Sequence, residues 1–203
     1  MEIPLLSTAY LPPVEYISIL AKHTVVEVET QEHFVKQTYR NRAVILSANG
    51  PLALIIPLKK GKNNNQLITE VEIDYSSNWQ TAHWRSIASA YGGSAYYEHY
   101  ADYFSPFYTK RYQFLFEFNA HLLNQLLVLF KLKCDVKYTD SFIPLSKVDN
   151  DYRYTISPKV KSNFQPKPYR QVFSEKFGFV PEMSSLDLLF NVGNRSVEFL
   201  QQS

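Results

Sequence analysis

Residues 36–42 concentrate cationic and amide side chains around one tyrosine, in the sequence KQTYRNR. An extended chain alternates the direction of its side chains, which predicts one cationic face and one face of amides and a tyrosine. The cationic face would hold Lys36, Thr38, Arg40 and Arg42, and the opposite face would hold Gln37, Tyr39 and Asn41. Because a guanidinium group presents a planar fork of donors, two of them at this spacing can clamp a diphosphate or a carboxylate-bearing sugar.

The same seven residues also fit the solvated edge of a sheet. Lysine and arginine on an edge strand hinder aggregation between sheets and require no ligand. On residue types alone this structural interpretation is slightly favoured over an anion-binding role, so the position of the segment in the fold must decide between them.

His83 is the candidate for acid–base chemistry. It lies in a helical pattern with Trp79 four residues before it, Trp84 beside it and Ile87 four residues after it. An imidazole titrates near neutral pH and can act as a general base, although a lone histidine near tryptophans is more often a hydrogen-bonded packing residue, by roughly two to one. Asp74, just before this helix, can orient the imidazole or a substrate hydroxyl, or can interact favourably with the helix N-terminus.

Local signatures of the common nucleotide, serine-hydrolase and zinc sites are missing. The sequence has no G-x-x-x-x-G-K, G-x-G-x-x-G, G-x-S-x-G or H-E-x-x-H. The remaining histidines show no ligand-like spacing to each other or to carboxylates, so we predict no metal site; they are His23, His33, His99 and His121. Any activity must use residues that the fold brings together, and the sequence leaves a cofactor unspecified.

Composition predicts a single globular domain over residues 1–203, because 45% of the chain is hydrophobic and 20% is charged. Fifteen tyrosines and fourteen phenylalanines stand against six glycines. Such rings suit core packing, stacking on sugars or bases, and partner surfaces about equally well. The formal charge of +2 is too small for a dedicated nucleic-acid binder, which carries clustered lysine and arginine, so we predict no nucleic-acid partner.

Cysteine content and the N-terminal residues predict a cytoplasmic location. Cys134 is the only cysteine, which excludes an internal disulfide and fits a reducing compartment. The start, MEIPLLSTAYLPP, has an acidic residue and prolines where a signal peptide has an uninterrupted apolar helix. No stretch reaches the roughly 18 apolar residues of a membrane span.

Hydrophobic patterns predict an α/β domain whose mixed sheet, in the N-terminal half, packs against helices. Strands at residues 2–6 and in TVVEVET flank a helix in LPPVEYISILAKH, an order that permits a parallel pair. Two apolar runs meet at Asn49 and Gly50, a strong hairpin signal. The polar stretch KKGKNNNQL predicts an exposed loop, and ITEVEIDY predicts a further strand.

The rest of the chain is predicted to be mainly helical. NWQTAHWRSIASAY is typical of a helix, capped by Ser76 or Ser77 and stopped by Gly92 and Gly93. Further helices are predicted at about 95–105, at about 112–132 and in SSLDLLFNVG. The helix at 112–132 carries an apolar stripe of Leu115, Phe118, Leu122, Leu126 and Leu129. Residues 151–170 hold five lysines or arginines against one acid, which predicts an irregular basic loop or lid.

Six stretches of the chain, in this order and spacing, resemble the WbqC-like family. They are AYLPPVEYISILAKH, KQTYRNRAVI, NG followed by LIIP, EIDYSSNWQTAHWRSIASAY, LFEFN and SSLDLLFNVG. The resemblance spans nearly the whole chain. The sequence departs from the family pattern at Ser7, Thr8 and Ala9, where a Gln-Pro pair is usual, and around Glu27 and Glu29, where aspartates are usual.

The resemblance implies a role in bacterial surface-polysaccharide (O-antigen-type) biosynthesis. It implies transfer of a glycyl or other acyl group to an amino sugar on a nucleotide or lipid carrier. Under this hypothesis the guanidinium groups of residues 36–42 hold the carrier phosphates, Tyr10 and Tyr39 contact the sugar, and His83, with Asp74, removes a proton from the attacking amine or hydroxyl. No ATP motif is present, so the donor would arrive already activated.

Two other hypotheses stand beside the enzyme. A non-catalytic protein of the same pathway would bind a glycan or a partner enzyme through exposed rings, with Arg40 engaged in structural ion pairs. A nucleic-acid binder would use the aromatic residues and the basic residues at 151–170, but the nearly neutral overall charge argues against it. The oligomeric state is left open by the sequence.

Overall fold

The structure is a computed structural model that describes residues 3–59 and 66–201. Its strands are β1 (Leu5–Ser7), β2 (Val25–Glu29), β3 (Arg42–Ser47), β4 (Gly50–Ile55) and β5 (Asp135–Tyr138). Strands β1, β2 and β5 form a parallel sheet in the order β1-β2-β5, and β3 and β4 form an antiparallel hairpin. The predicted class, a single α/β domain with strands packed against helices, is confirmed.

Helices provide most of the remaining regular structure. They are α1 (Val14–Lys22), α2 (Trp79–Tyr91), α3 (Tyr97–Phe104), α4 (Leu115–Leu129), α5 (Ser174–Phe177), α6 (Ser185–Val192) and α7 (Ser196–Gln201). Helices α2 and α6 both pack on β3, and α1 packs against α6 and α7. None of the helices in the described ranges is long and apolar enough to cross a membrane.

The parallel sheet forms around the predicted strand, helix and strand order. Strand β1 pairs with β2 in parallel, with Leu6 beside Val28, and α1 connects them. Leu6, Val26 and Val28 are buried, which fits a parallel sheet covered on its faces. Burying each such aliphatic side chain contributes about 1.5–3 kcal/mol, so the apolar residues of the strands themselves stabilise this small sheet.

The hairpin forms where the Asn-Gly pair predicted it. Ser47 pairs with Gly50 at the turn, and the register runs to Arg42 opposite Ile55. Gly50 takes a φ of 100°, a left-handed backbone conformation that residues with a Cβ avoid. The turn therefore fixes the register that places Arg42 at the open end of the hairpin.

Helix α4 buries the apolar stripe that its periodicity predicted. Each of its five members is at most 9% exposed: Leu115, Phe118, Leu122, Leu126 and Leu129. Phe118 also packs against the rings of Tyr10 and Trp79. The helix therefore supports the region in which the candidate acid–base residues lie.

Two local predictions around α2 are wrong. Residues 68–75, the sequence ITEVEIDY, do not form a strand: Ile68–Glu70 is a 3-10 helix, and the residues around it make single bridges to three different segments. The alternating pattern is present, but no one partner runs beside it long enough to form a ladder. The residue that precedes α2 is Asn78 rather than Ser76 or Ser77, and Ser76 instead hydrogen-bonds the carboxylate of Asp74.

The second half contains one strand that the sequence did not predict. Strand β5 is only four residues long and mostly exposed, so its apolar pattern is too weak to mark it. Residues 151–170 contain no helix or named strand, in agreement with the predicted irregular segment. Residues 60–65 of the predicted polar loop lie outside the described residues.

Candidate functional site

The carboxyl ends of the parallel strands gather polar side chains. Ser7 ends β1, Glu29 ends β2 and Thr139 follows β5. Parallel strands place their carboxyl ends at one edge of the sheet, and open α/β sheets bind ligands at that edge. The polar residues of this edge are therefore the first candidates for a site.

Arg153 is buried at this edge between two carboxylates. Asp151 pairs with Leu5 in a parallel bridge, which brings Arg153 beside β1. Its Nη1 donates to Oε2 of Glu29 at 2.9 Å, and its Nε and Nη2 donate to Asp151 at 3.0 and 2.5 Å. The guanidinium side chain is fully buried, and a buried charge persists only when such partners compensate its lost hydration.

Glu29 joins three separate segments of the chain. Its Oε1 accepts hydrogen bonds from the backbone N–H of Gln31 at 2.9 Å and from Oγ1 of Thr139 at 2.6 Å. Its Oε2 accepts from the backbone N–H of Ile143 at 3.0 Å as well as from Arg153. The carboxylate therefore holds the chain that follows β5 against the end of β2.

Arg40 forms a second buried ion pair beside the first. Its Nε donates to Oε1 of Glu32 at 2.8 Å, and its Nη2 donates to Oε2 of Glu32 and to Oγ of Ser7, the latter at 2.7 Å. Ser7 Oγ in turn donates to the carbonyl of Arg153 at 3.1 Å, which connects the two pairs. We call the linked residues the sheet-edge network: Ser7, Glu29, Glu32, Arg40, Thr139, Asp151 and Arg153.

The Glu32 carboxyl is buried at a cost that its partners do not fully offset. Burial raises the pKa of the Glu32 carboxyl above its ordinary value, and the hydrogen bonds and charge of Arg40 offset that rise only in part. Buried ion pairs of this kind often stabilise a fold no more than apolar residues of the same size would. The location of the Arg40–Glu32 pair is more informative than its contribution to stability. A cavity of about 10 Å³, which has room for one water molecule, lies between Arg40, Tyr39 and Tyr152.

The geometry predicted for residues 36–42 is wrong. The segment is a series of turns and bends that ends where β3 begins, so its side chains do not alternate between two faces. Gln37 takes a positive φ of 59°, and Thr38 Oγ1 donates to the carbonyl of Val35 at 2.8 Å. Lys36 and Gln37 are exposed.

The two arginines of the segment have different surroundings. Arg40 is committed to Glu32 and Ser7 inside the protein, whereas Arg42 is half-buried at the start of β3. The Nε of Arg42 is buried and forms no hydrogen bond with another described residue. Asn41 Nδ2 donates to the carbonyl of Ile56 at 2.9 Å, which fixes the entry into the hairpin.

Tyr10 and His83 meet in the core. The Tyr10 hydroxyl lies 3.0 Å from Nδ1 of His83 and 2.9 Å from the hydroxyl of Tyr108. The Tyr10 ring also stacks on the imidazole, with ring centroids 5.8 Å apart. We call Tyr108, Tyr10 and His83 the hydroxyl relay.

The hydrogen bonds of His83 fix the direction of the relay. Burial lowers the pKa of His83 to about 4, so the imidazole is neutral near pH 7. A hydrogen bond to the backbone of Ile55 raises the pKa by a smaller amount. Since Nδ1 faces Tyr10, the contact with the Ile55 carbonyl uses Nε2–H, and Nδ1 is the acceptor. Tyr10 therefore donates to His83, Tyr108 donates to Tyr10, and the oxygen of Tyr108 is the last atom of this buried row.

Local structure holds each relay member in place. The backbone N–H of Tyr10 donates to the carbonyl of Tyr39 at 2.9 Å, which joins the relay to residues 36–42. His83 lies on the buried face of α2, where Trp79 packs edge-on against its ring. Trp84 stacks on Tyr108 at a centroid distance of 5.5 Å. Aromatic contacts on several sides therefore hold the relay in one arrangement.

The Asp74 carboxylate forms its hydrogen bonds with Ser76 rather than with the imidazole of His83. Its carboxylate accepts from the backbone N–H of Ser76 at 2.8 Å and from the Ser76 hydroxyl at 3.0 Å, and these bonds lower its pKa. Among the described residues, the hydrogen-bond partners of His83 are Tyr10 and the backbone of Ile55. The orientation of the imidazole follows from those two contacts.

A third buried polar cluster surrounds Asp187 in the first turn of α6. Its Oδ2 accepts from the Tyr169 hydroxyl at 2.7 Å and from Nε2 of Gln171 at 2.8 Å, while Oδ1 has no hydrogen-bond partner in the described chain. Burial raises the pKa of Asp187 to about 6, although its interactions with Tyr169, Gln171 and Tyr91 each lower that pKa. The cluster ties the end of the irregular segment to α6.

Sequence reasoning placed Tyr10, Arg40 and His83 among the candidates but missed their partners. Tyr108 and Arg153 were not selected, because they meet Tyr10 and Glu29 across 98 and 124 residues of the chain. Glu32 was also missed, although Arg40 is only eight residues away, because no local pattern shows that the two side chains meet inside the protein. Ser7 and Glu29, which were not selected either, both belong to the sheet-edge network.

Within residues 3–59 and 66–201, no group of three or more histidine, cysteine, aspartate or glutamate side chains is arranged to hold a metal ion. The candidate site consists of two sets of side chains. One is the hydroxyl relay, and the other is the sheet-edge network. The segment from Ser7 to Tyr10 connects them through the chain.

Comparison with known proteins gives a family but no described activity. A family model described as the WbqC-like protein family matches residues 8–163. The chain is also similar to "Uncharacterized protein Rv1507c" of Mycobacterium tuberculosis, with 24% identity over 226 aligned residues that cover 98% of this chain and 97% of that protein. No solved structure matches the chain.

Proposed function

The chain belongs to the WbqC-like protein family, and on this premise we propose that it is a cytoplasmic transferase of bacterial surface-polysaccharide (O-antigen-type) biosynthesis. It moves a glycyl or other acyl group from an activated donor to the amine of an amino sugar. The acceptor sugar is carried on a nucleotide or a lipid. The observation that carries the proposal is the Tyr108–Tyr10–His83 relay, which ends on a neutral imidazole.

The relay supplies the proton acceptor that acyl transfer to an amine requires. The amine nitrogen attacks the donor carbonyl, a C–N bond forms, and the bond to the donor's leaving group breaks. The nitrogen gives a proton to the oxygen of Tyr108, while Tyr108 passes its own proton to Tyr10 and Tyr10 passes its proton to Nδ1 of His83. Nε2–H of the resulting imidazolium stays on the carbonyl of Ile55, which favours the charged form.

Residues 36–42 are assigned to substrate binding in two different ways. Lys36, Gln37 and Arg42 are exposed or half-buried, and their cationic and amide groups bind the carrier phosphates. Tyr39 and Asn41 are half-buried beside them and contact the sugar. Arg40 is a positioning residue, because its guanidinium is held by Glu32 and Ser7.

A direct assay tests this proposal. The purified chain is incubated with uridine-diphosphate-linked glucosamine as acceptor and with glycyl or acetyl thioesters as donors, and the acceptor is analysed by mass spectrometry. The proposal predicts a mass increase equal to one glycyl or acetyl group, in the presence of protein only. A panel of nucleotide-linked and lipid-linked amino sugars that all remain unmodified would contradict it.

A non-catalytic role in the same pathway is the second candidate, and one observation favours it. Arg40, which the transferase hypothesis first placed on the carrier phosphates, forms a structural ion pair with Glu32. A protein of this kind would bind the same nucleotide-linked sugar without changing its mass. Binding measured by calorimetry together with an unchanged acceptor would support this role over the transferase.

A further inference from the structure

A large open pocket lies on the side of α1, between that helix and residues 149–164. Its volume is about 520 Å³, within the range of pockets that hold small molecules. The helix contributes Glu15 and Ser18, and the irregular segment contributes Tyr152, Thr155, Asn163 and Phe164. None of the residues of the hydroxyl relay lines it.

The lining combines groups that suit a polyhydroxylated ligand. Thr155 and Asn163 offer a hydroxyl and an amide that hydrogen-bond no other described residue through their side chains, and both are exposed to the pocket. Tyr152 and Phe164 add two half-buried rings. Rings cover the apolar C–H face of a pyranose, while hydroxyls and amides satisfy its hydroxyl groups.

Glu15 gives the pocket a preference in charge. Its carboxyl is half-buried in the first turn of α1 and hydrogen-bonds Ser162. Burial raises the pKa of this carboxyl, and the negative charge of Glu182 raises it further. A cation beside this carboxylate would restore the stabilisation that burial removes. The other charged or titratable residues that line the pocket are Asp149, Asp151, Lys22, Lys161 and His23, and Asp151 is paired with Arg153. The overall charge of the pocket is therefore mixed, and a strongly anionic ligand has no clear advantage.

We propose that this pocket binds a sugar unit that carries an amino group, with the ammonium beside Glu15 and the ring between Tyr152 and Phe164. The site is separate from the relay and can hold a unit of the glycan or carrier that is not the reacting one. This inference goes beyond the proposed transfer reaction and does not depend on it.

Tyr152 connects the pocket to the sheet-edge network. It lines the pocket and also the small cavity beside Arg40 and Tyr39. Its backbone N–H donates to the carbonyl of Leu5 at 2.8 Å, which places it beside β1. Asp151, another pocket residue, is held by Arg153. The buried ion pairs therefore hold one wall of the pocket in position.

Nuclear magnetic resonance titration tests the proposal with glucosamine, N-acetylglucosamine and glucose as probes. The expected result is saturable shifts of the backbone amides of Ser18, Tyr152 and Asn163, with glucosamine binding about five-fold more tightly than glucose, the effect of one ion pair worth about 1 kcal/mol. Glu15→Gln should remove that preference, and Asn163→Ala should weaken all three sugars. Ser89→Ala, in a different surface pocket beside the hairpin, is the matched control and should change nothing.

Each outcome decides the proposal. Shifts confined to other surfaces, or no saturable shift with any sugar, would overturn it. A preference for glucosamine that survives in Glu15→Gln, with the fold intact by circular dichroism, would overturn the assignment of the ammonium to Glu15. These measurements report binding rather than turnover. Sugar binding in this pocket can therefore be absent while acyl transfer is observed, and it can be observed while acyl transfer is absent.

Discussion

The hydroxyl of Tyr10 lies 3.0 Å from Nδ1 of His83, although the two residues are 73 positions apart in the chain. Both are buried, and the hydroxyl of Tyr108 completes a row of three hydrogen-bonding groups. Neither the ring of Tyr10 nor the imidazole is a simple packing element, because each directs a polar atom at the other.

Removing the Tyr10 hydroxyl should destabilise the fold by about 1–3 kcal/mol, because Nδ1 of His83 and the Tyr108 hydroxyl would lose a buried partner. Tyr10→Phe keeps the ring and tests the hydrogen bonds alone. The free energy of unfolding is measured by urea titration. Tyr103→Phe is the control, since the Tyr103 side chain is 49% exposed, and an equal effect of both substitutions would argue against the relay.

His83 should remain neutral down to about pH 4, because burial lowers its pKa to about that value. The folded state then disfavours proton binding, so this residue's contribution to stability is complete above pH 6.5 and is lost as the pH falls from 6.5 towards 4. Imidazole resonances followed against pH in folded and urea-unfolded protein measure the difference. A folded-state midpoint above 6 would contradict the lowering of this pKa by burial.

Truncating one partner of the Arg40–Glu32 pair should cost more than replacing both. Arg40→Ala leaves a buried carboxylate without its partner, which typically costs about 3–5 kcal/mol, whereas Arg40→Met with Glu32→Leu removes both charges and should cost less. Urea unfolding of the single and double variants measures this order. Lys59→Ala, which breaks the exposed pair with Glu72, should have a much smaller effect.

A double variant as unstable as Arg40→Ala would show that the pair contributes net stability and not only position. If instead the double variant folds well, its sugar binding and transfer activity can be measured without the complication of unfolding. We expect both to be impaired, because Arg40 holds Ser7 and one wall of the cavity beside Tyr39.

Asp187 should give the opposite pH dependence from His83. Burial raises the pKa of its carboxyl from 3.8 to about 6, so the folded state binds this proton more readily than the unfolded state does. Its contribution to stability is therefore present below about pH 4 and is lost between pH 4 and 6, by at most about 3 kcal/mol. The difference in free energy of unfolding between wild type and Asp187→Asn, measured at pH 4.5 and 7, should change in that direction, and a constant difference would contradict it.

Local patterns in the sequence account for much of the fold. The Asn49-Gly50 turn and the stripe on α4 depend on neighbours within a few residues, and both formed where the pattern placed them. Residues 68–75 show the limit of such patterns, since an alternating sequence forms a strand only where one partner segment runs alongside it. Strand β5 has the partner but almost no pattern, because it is short and exposed.

The candidate site was less accessible to sequence reasoning. Residues 36–42 carry the right chemistry, but whether Arg40 faces solvent or the core is decided by Glu32 and Ser7, and the turn at Gln37 moves the chain out of the extended geometry. Tyr108 and Arg153 carry no local signal of a site, since Tyr108 meets Tyr10 across 98 residues and Arg153 meets Glu29 across 124 residues of the chain.

The central claim is that His83 accepts a proton through Tyr10 during acyl transfer, and one rate comparison tests it most directly. Transfer to uridine-diphosphate-linked glucosamine is followed by mass spectrometry for wild type, His83→Asn and the exposed control His99→Asn, all verified as folded. The relay predicts a loss of at least about 100-fold in His83→Asn and no change in His99→Asn. Transfer at the wild-type rate by His83→Asn would contradict the account.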